Sequence, residues 1–256
     1  MSTLGKILCA CGAVFGLAAA AAAQTPAITA QPPVPGDREF GQPVMDRGIF
    51  AHAILNENEG RWNGTNTEYR WDGEGWIGTD YDKLWIKSEG TLQSNGTLEG
   101  GEHQFLYSRA VTTYFDLQGG LRSDIDSRPT RNWAALGIQG LAPYFFDLEL
   151  TGYVSSGGHL AAKFEAFYDL LLTNRLILQP QVEIDLYSKA DPARLTGAGF
   201  ADIDTGLRLR YEFTRNFAPY IGLVYEGNFG QTASYAKRVG ESTGDFRFAF
   251  GVRIWF

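Results

Sequence analysis

The stretch Asp245–Phe256, DFRFAFGVRIWF, decides the fold. Phe246, Phe248, Phe250, Val252, Ile254 and Phe256 fall on one side of an extended chain. Asp245, Arg247, Ala249, Gly251, Arg253 and Trp255 fall on the other. Side chains alternate across a strand, so this is a strand with one apolar and one polar face. The same pattern recurs upstream. Ile203, Thr205, Leu207, Leu209 and Tyr211 oppose Asp202, Asp204, Arg208, Arg210 and Glu212. Leu176, Leu178, Pro180, Val182, Ile184 and Leu186 oppose Gln179, Gln181, Glu183 and Asp185. Leu160, Ala162, Phe164, Ala166 and Tyr168 oppose Lys163, Glu165 and Asp169, and Phe146, Leu148 and Leu150 oppose Asp147, Glu149 and Thr151.

Extended over the chain, the alternation predicts about 12 strands: 48–57, 67–78, 81–91, 102–111, 114–124, 131–140, 144–154, 159–170, 175–187, 201–212, 217–228 and 244–256. Soluble sandwiches also alternate, but their strands run nearer five or six residues. These are long enough to cross a hydrocarbon layer at a tilt. The reading is an all-β, antiparallel up-and-down transmembrane barrel over residues 47–256. Alternation alone does not say which face is inward, because a lipocalin-like barrel puts its apolar face inside. The N-terminus and the aromatic terminal strand favour the membrane form. Short connections are expected near 79–80, 112–113 and 141–143, and long loops at 92–101, 188–200 and 229–243.

The N-terminus sets the compartment. Lys6, the apolar run Ile7–Ala20 and Ala21-Ala22-Ala23 before Gln24 have the three-part pattern of a secretory signal peptide, residues 1–23. An anchor helix or a lipid anchor on Cys11 are the other readings. Residues 24–46 carry Pro26, Pro32, Pro33, Pro35 and Pro43 without periodicity, which reads as a periplasmic tail. Both cysteines, Cys9 and Cys11, precede it, so disulfides and thiolate chemistry are excluded from the mature chain. The formal net charge of −7 argues against a nucleic-acid partner, which needs a basic face.

Chemistry-bearing residues are few. Arg70, Asp72, Glu74, Lys83, Lys87, Glu89, Asp116, Arg122, Asp147, Glu149, Lys163, Glu165, Glu183, Asp185, Arg208, Arg210, Arg247 and Arg253 fall on polar faces and are expected to line the lumen. They would form either a salt-bridged plug or a carboxylate path for cations. Met45 and His52, seven residues apart, with His103 and His159, are the nitrogen and thioether donors that suit copper. The chain has no Gly-x-Ser-x-Gly elbow, no His-Glu-x-x-His and no phosphate loop, so no enzyme is expected. His159 beside Ser155 and Ser156 is the one hint of a lipid hydrolase, and two serines before Gly157-Gly158 read equally as a hairpin turn.

Several long segments resemble one family. They are Gly75–Lys87 (GWIGTDYDKLWIK), Leu106–Ala110 (LYSRA), Leu136–Tyr144 (LGIQGLAPY), Leu170–Pro180 (LLLTNRLILQP), Leu186–Lys189 (LYSK), Gly206–Glu212 (GLRLRYE) and Phe217–Tyr220 (FAPY). In this order they resemble the copper resistance protein B family, from about Asp37 to Phe256. The resemblance implies an outer-membrane barrel in copper tolerance, binding copper ions or moving them, beside a periplasmic multicopper oxidase. A general small porin without metal preference is the rival reading. Many members have a tail rich in Met, His and Asp. Here residues 24–46 contain one Met and no His, so any copper site falls to Met45, His52, His103, His159 and lumen carboxylates.

Overall fold

The computed structural model describes residues 48–256. Met45 and the expected signal peptide 1–23 and Pro-rich tail 24–46 lie outside the described residues. The rest is a closed antiparallel barrel. Its strands are β1 (Phe50–Trp62), β2 (Thr67–Gly78), β3 (Asp82–Gln93), β4 (Leu98–Ala110), β5 (Phe115–Asp124) and β6 (Arg131–Ala142). They continue with β7 (Phe146–Ser155), β8 (Leu160–Tyr168), β9 (Leu176–Tyr187), β10 (Gly199–Tyr211), β11 (Phe217–Asn228) and β12 (Gly244–Trp255). After Asp169, Leu170–Leu171 prolong β8 against Ile177 and Leu178. Each strand pairs with the next, and β12 returns to β1, from Ile54↔Trp255 to Trp62↔Phe248. Every predicted strand is present, in order.

The faces are as the alternation requires. Phe246, Phe248 and Phe250 are 67, 54 and 55% exposed on the outer wall. Arg208 and Arg210, either side of outward Leu209, are 2 and 1% exposed and point inward. Apolar residues face outward because lipid, not water, is their solvent there, and the polar face finds its partners across the lumen.

Turn chemistry differs between the two ends. At the end where β1 begins and β12 finishes, Thr79, Thr112 and Thr173 each use the side-chain oxygen to accept two backbone N–H groups, those of the residues two and three ahead. Such side-chain turns close a hairpin within a few residues. At the other end, Asn63 Oδ1 accepts the N–H groups of Thr65 and Asn66, and Gly64 sits at φ +94°. The longer connections are at this end. One holds a 3-10 turn at Pro192–Arg194, another a helix α1 (Gly230–Val239). In outer-membrane barrels the short turns face the periplasm, which makes the Thr-turn end the inner one.

Two expectations are corrected. Residues 92–101 are not a long loop. The β3–β4 hairpin continues to Gln93 and Leu98, closed by a tight turn, with a register shift between Glu89 and Thr91. Strand 1 does not end at residue 57 but runs to Trp62, past a bulge between Leu55 and Glu57. An extra residue in one strand breaks the period of two, so a reading by alternation stops there.

Candidate functional site: the charged lumen

The lumen holds two kinds of packing. Between β4 and β9, Leu106, Trp133, Ala135, Tyr153 and Ala161 form a small apolar core with Trp85 and Tyr187 against it. Trp133 donates its indole N–H to Asp124 at 2.8 Å, and Arg122 lies 4.5 Å from the Tyr153 ring centroid. The remaining lumen is ionic. Arg61 is its hub. Its guanidinium contacts Glu59 at 2.6 Å, Glu57 at 3.2 Å, Asp204 at 2.5 Å and Glu226. Arg208 reaches across to Glu57 and Glu59 at 2.8 Å, and Arg70 joins Glu57 at 3.0 Å to Glu183 at 2.9 Å. Lys163 reaches Glu183 at 2.9 Å, Glu102 at 3.4 Å, Glu165 at 3.6 Å and, most closely, Glu89. Lys87 bonds Glu149 and Gln139.

These pairs tie β1 and β2 to β9, β10 and β11, and β3 and β4 to β7 and β8. They form a belt across the barrel. Buried charges at this density persist only when each finds a partner, and the belt supplies them. On its inner side is a cavity of about 310 Å³, lined by nine carboxylates and three cationic side chains. On its outer side is one of about 250 Å³, lined by eleven carboxylates and six cations. Glu89 and Glu102 line both. Both chambers therefore carry an excess of negative charge, which concentrates cations.

The predicted copper donors do not converge. His52 sits near the inner end of β1 and lines the inner cavity with Asp72 and Glu74, its ring 6.2 Å from that of Trp76. His103 pairs in register with Ser88 and Ser123, on the outward face of β4, and its Nδ1 is 3.1 Å from Ser88 Oγ. Its neighbours Glu102 and Gln104 are the inward ones. His159 is in the outer turn between β7 and β8, at the opposite end from His52. Among the described residues, one carboxylate trio has ligand oxygens all within 4.8 Å of each other: Glu89, Glu165 and Glu183. Lys163 already sits among them.

Glu57, Glu59 and Arg61 were missed by alternation although they anchor the belt. Asn58 and Gly60 between them are polar or small, so the segment shows no contrast between faces. Glu102 is lost in the same way in β4.

The family profile described as "Copper resistance protein B precursor" matches residues 49–256. The chain belongs to the copper resistance protein B family. The resemblance seen in the motifs is borne out along nearly the whole barrel. The copper resistance protein B of Escherichia coli is 44% identical over 216 residues, covering 84% of this chain and 73% of that protein. A copper resistance protein B homolog of Pseudomonas syringae pv. tomato is 41% identical over the same length and shares. Among solved structures, a NanC porin superposes with a TM-score of 0.50 at 11% identity, covering 80% of this chain and 99% of the porin. That likeness is one of fold. In this copper resistance family member the barrel is of outer-membrane type, associated with the lipid bilayer, and the belt crosses its lumen.

Proposed function

We propose that the barrel handles copper as a bound or moving ion, without catalysis, and that the inner cavity is where Cu(II) is held. The observation carrying this is His52 facing a chamber whose wall has nine carboxylates against three cations. Imidazole with carboxylate oxygens suits Cu(II), whereas Cu(I) prefers thioether and thiolate sulfur. Residues 48–256 contain neither Met nor Cys. Met45 is the one sulfur donor the mature chain would keep. His52 would supply nitrogen, with Asp72 and Glu74, on the strand paired to its own, as acids of the same lining. His103 faces outward and His159 lies at the far mouth, so neither completes this set.

The inner mouth is the side a periplasmic multicopper oxidase would meet. A general porin would need a wide, clear bore, and the belt of paired charges crosses it. A hydrolase would need an acid orienting His159, and His159 Nδ1 has no hydrogen-bond partner.

The test is titration of the purified, refolded barrel with Cu(II) and with Cu(I) in separate runs, for the native chain and for Met45→Ala, His52→Ala and the double variant. Stoichiometric Cu(II) binding that disappears in His52→Ala supports the reading. Cu(II) binding untouched by His52→Ala sinks this placement, and no binding of either ion leaves the barrel as a scaffold for its partner.

A further inference from the structure

The strand registers place lumen carboxylates side by side in one unbroken line. Glu149 on β7 is directly opposite Glu165 on β8, and Glu165 is opposite Glu183 on β9. Glu183 is opposite Asp204 on β10, Asp204 opposite Glu226 on β11, and Glu226 opposite Asp245 on β12. Below Glu149 the same line passes through Gln139 to Asp116, at the inner start of β5.

Directly opposed residues in an antiparallel pair have Cα atoms about 4.5–5.5 Å apart. Because barrel strands tilt, a line drawn across them climbs the wall. This one starts at the inner end of β5 and finishes at Asp245, one residue into β12 at the outer rim. It is a staircase of carboxylates connecting both mouths and passing both cavities.

Like charges directly opposite one another destabilise a sheet. Five consecutive such pairs are what a barrel selected for stability alone would avoid. The counter-charges come from elsewhere: Lys87, Lys163, Arg70, Arg61 and Arg247 reach onto successive steps. They do not neutralise it. One ammonium, Lys163, serves four carboxylates. Asp245 is held by Asn63 and Ser242 and by no cation among the described residues. Beside the staircase, Asp185 on β9 is 7% exposed, lines the outer cavity and stands directly opposite Asp202 on β10, a further carboxylate pair next to the line.

We propose that this staircase is the conduction track for hydrated cations through the barrel, with the Lys163 ammonium as the tethered ion that closes it midway. Carboxylate rows select cations in pores by the same electrostatics. A passing ion exchanges with Lys163 among Glu89, Glu165 and Glu183, then moves from step to step. The inference rests on the outer-membrane reading but not on copper binding.

The experiment is single-channel recording of the full barrel in planar lipid bilayers under a tenfold KCl gradient, with no copper present. The native chain is expected to show small, cation-selective currents. Lys163→Gln should raise the conductance severalfold. Glu165→Gln with Asp245→Asn, two of the less buried steps, should move the reversal potential toward zero. Anion selectivity, an unchanged reversal potential in the double variant, or no current in either the native chain or Lys163→Gln would overturn the track. If Lys163→Gln does not insert, the reversal potentials of the native chain and the double variant decide. Because copper is absent from the recording, its failure is separate from failure of the His52 titration.

Discussion

Arg61 shows at the level of one residue how the lumen is held. It is fully enclosed, and its guanidinium is shared by carboxylates from three strands. Replacing both partners of such a set by apolar groups can be neutral, but removing one partner strands the others. Arg61→Met leaves Glu57, Glu59, Asp204 and Glu226 short of a cation, and should cost about 3–5 kcal/mol in urea unfolding of the lipid-reconstituted barrel. A loss below about 1 kcal/mol would mean that water already solvates this end of the belt. On the other wall the sign of the environment reverses. Arg placed at Leu207 or Phe250, 47 and 55% exposed to the outside, should cost about 2–4 kcal/mol near the bilayer midplane. Glu165→Gln should change insertion much less. Equal behaviour of the two kinds of variant in a folding assay would show that the faces are reversed.

The elements show where sequence reading works and where it stops. β12, β10 and β9 were legible from alternation because each offers strong contrast: Phe against Arg, Leu against Arg, Leu against Glu. β1 was legible only in its first half. The bulge after Leu55 shifts the phase, and the Glu57–Arg61 segment has polar or small residues on both faces. The β3–β4 extension was read as a loop for a related reason, since Asn95-Gly96 and Gly100-Gly101 look like punctuation until the strands are seen to pair around them. Turn residues were legible as turns, but not the shared Thr device. Thr112→Val removes an acceptor for the Tyr114 and Phe115 N–H groups and should cost about 1 kcal/mol, read in the same unfolding assay. At the outer end, Thr232 on α1 accepts the Gly197 N–H at 2.9 Å and so ties the helix to the 188–198 connection. Thr232→Val should leave barrel stability unchanged and speed protease cleavage in 188–198. Unaltered cleavage would show that the two loops are held together by other contacts.

For the whole molecule, the architecture was readable because it follows from a period of two repeated along the chain, a property each strand carries locally. The site was readable only as a list of polar positions. Which carboxylate meets which cation depends on registers between strands far apart in sequence, and Lys163 with Glu89 or Arg61 with Glu226 have no local signature. The copper donors illustrate the limit most directly. His52, His103 and His159 are equivalent as residue types, yet the register sends one into the inner chamber, one to the outside wall and one to the opposite rim. Donor chemistry can be read from a sequence, but convergence of donors cannot.

The seam where β12 meets β1 carries one further consequence. A Cβ built on Gly60 would stand 2.7 Å from the Phe250 ring, so that ring occupies the space a side chain would fill. The neighbouring outward positions on β1 are Asn58 and Trp62, and neither leaves such a gap. If the two border strands close with a slip of one pairing step, the ring meets a side chain instead of a hollow. The join thus favours its own alignment, because only the native pairing sets that ring over a residue without a side chain.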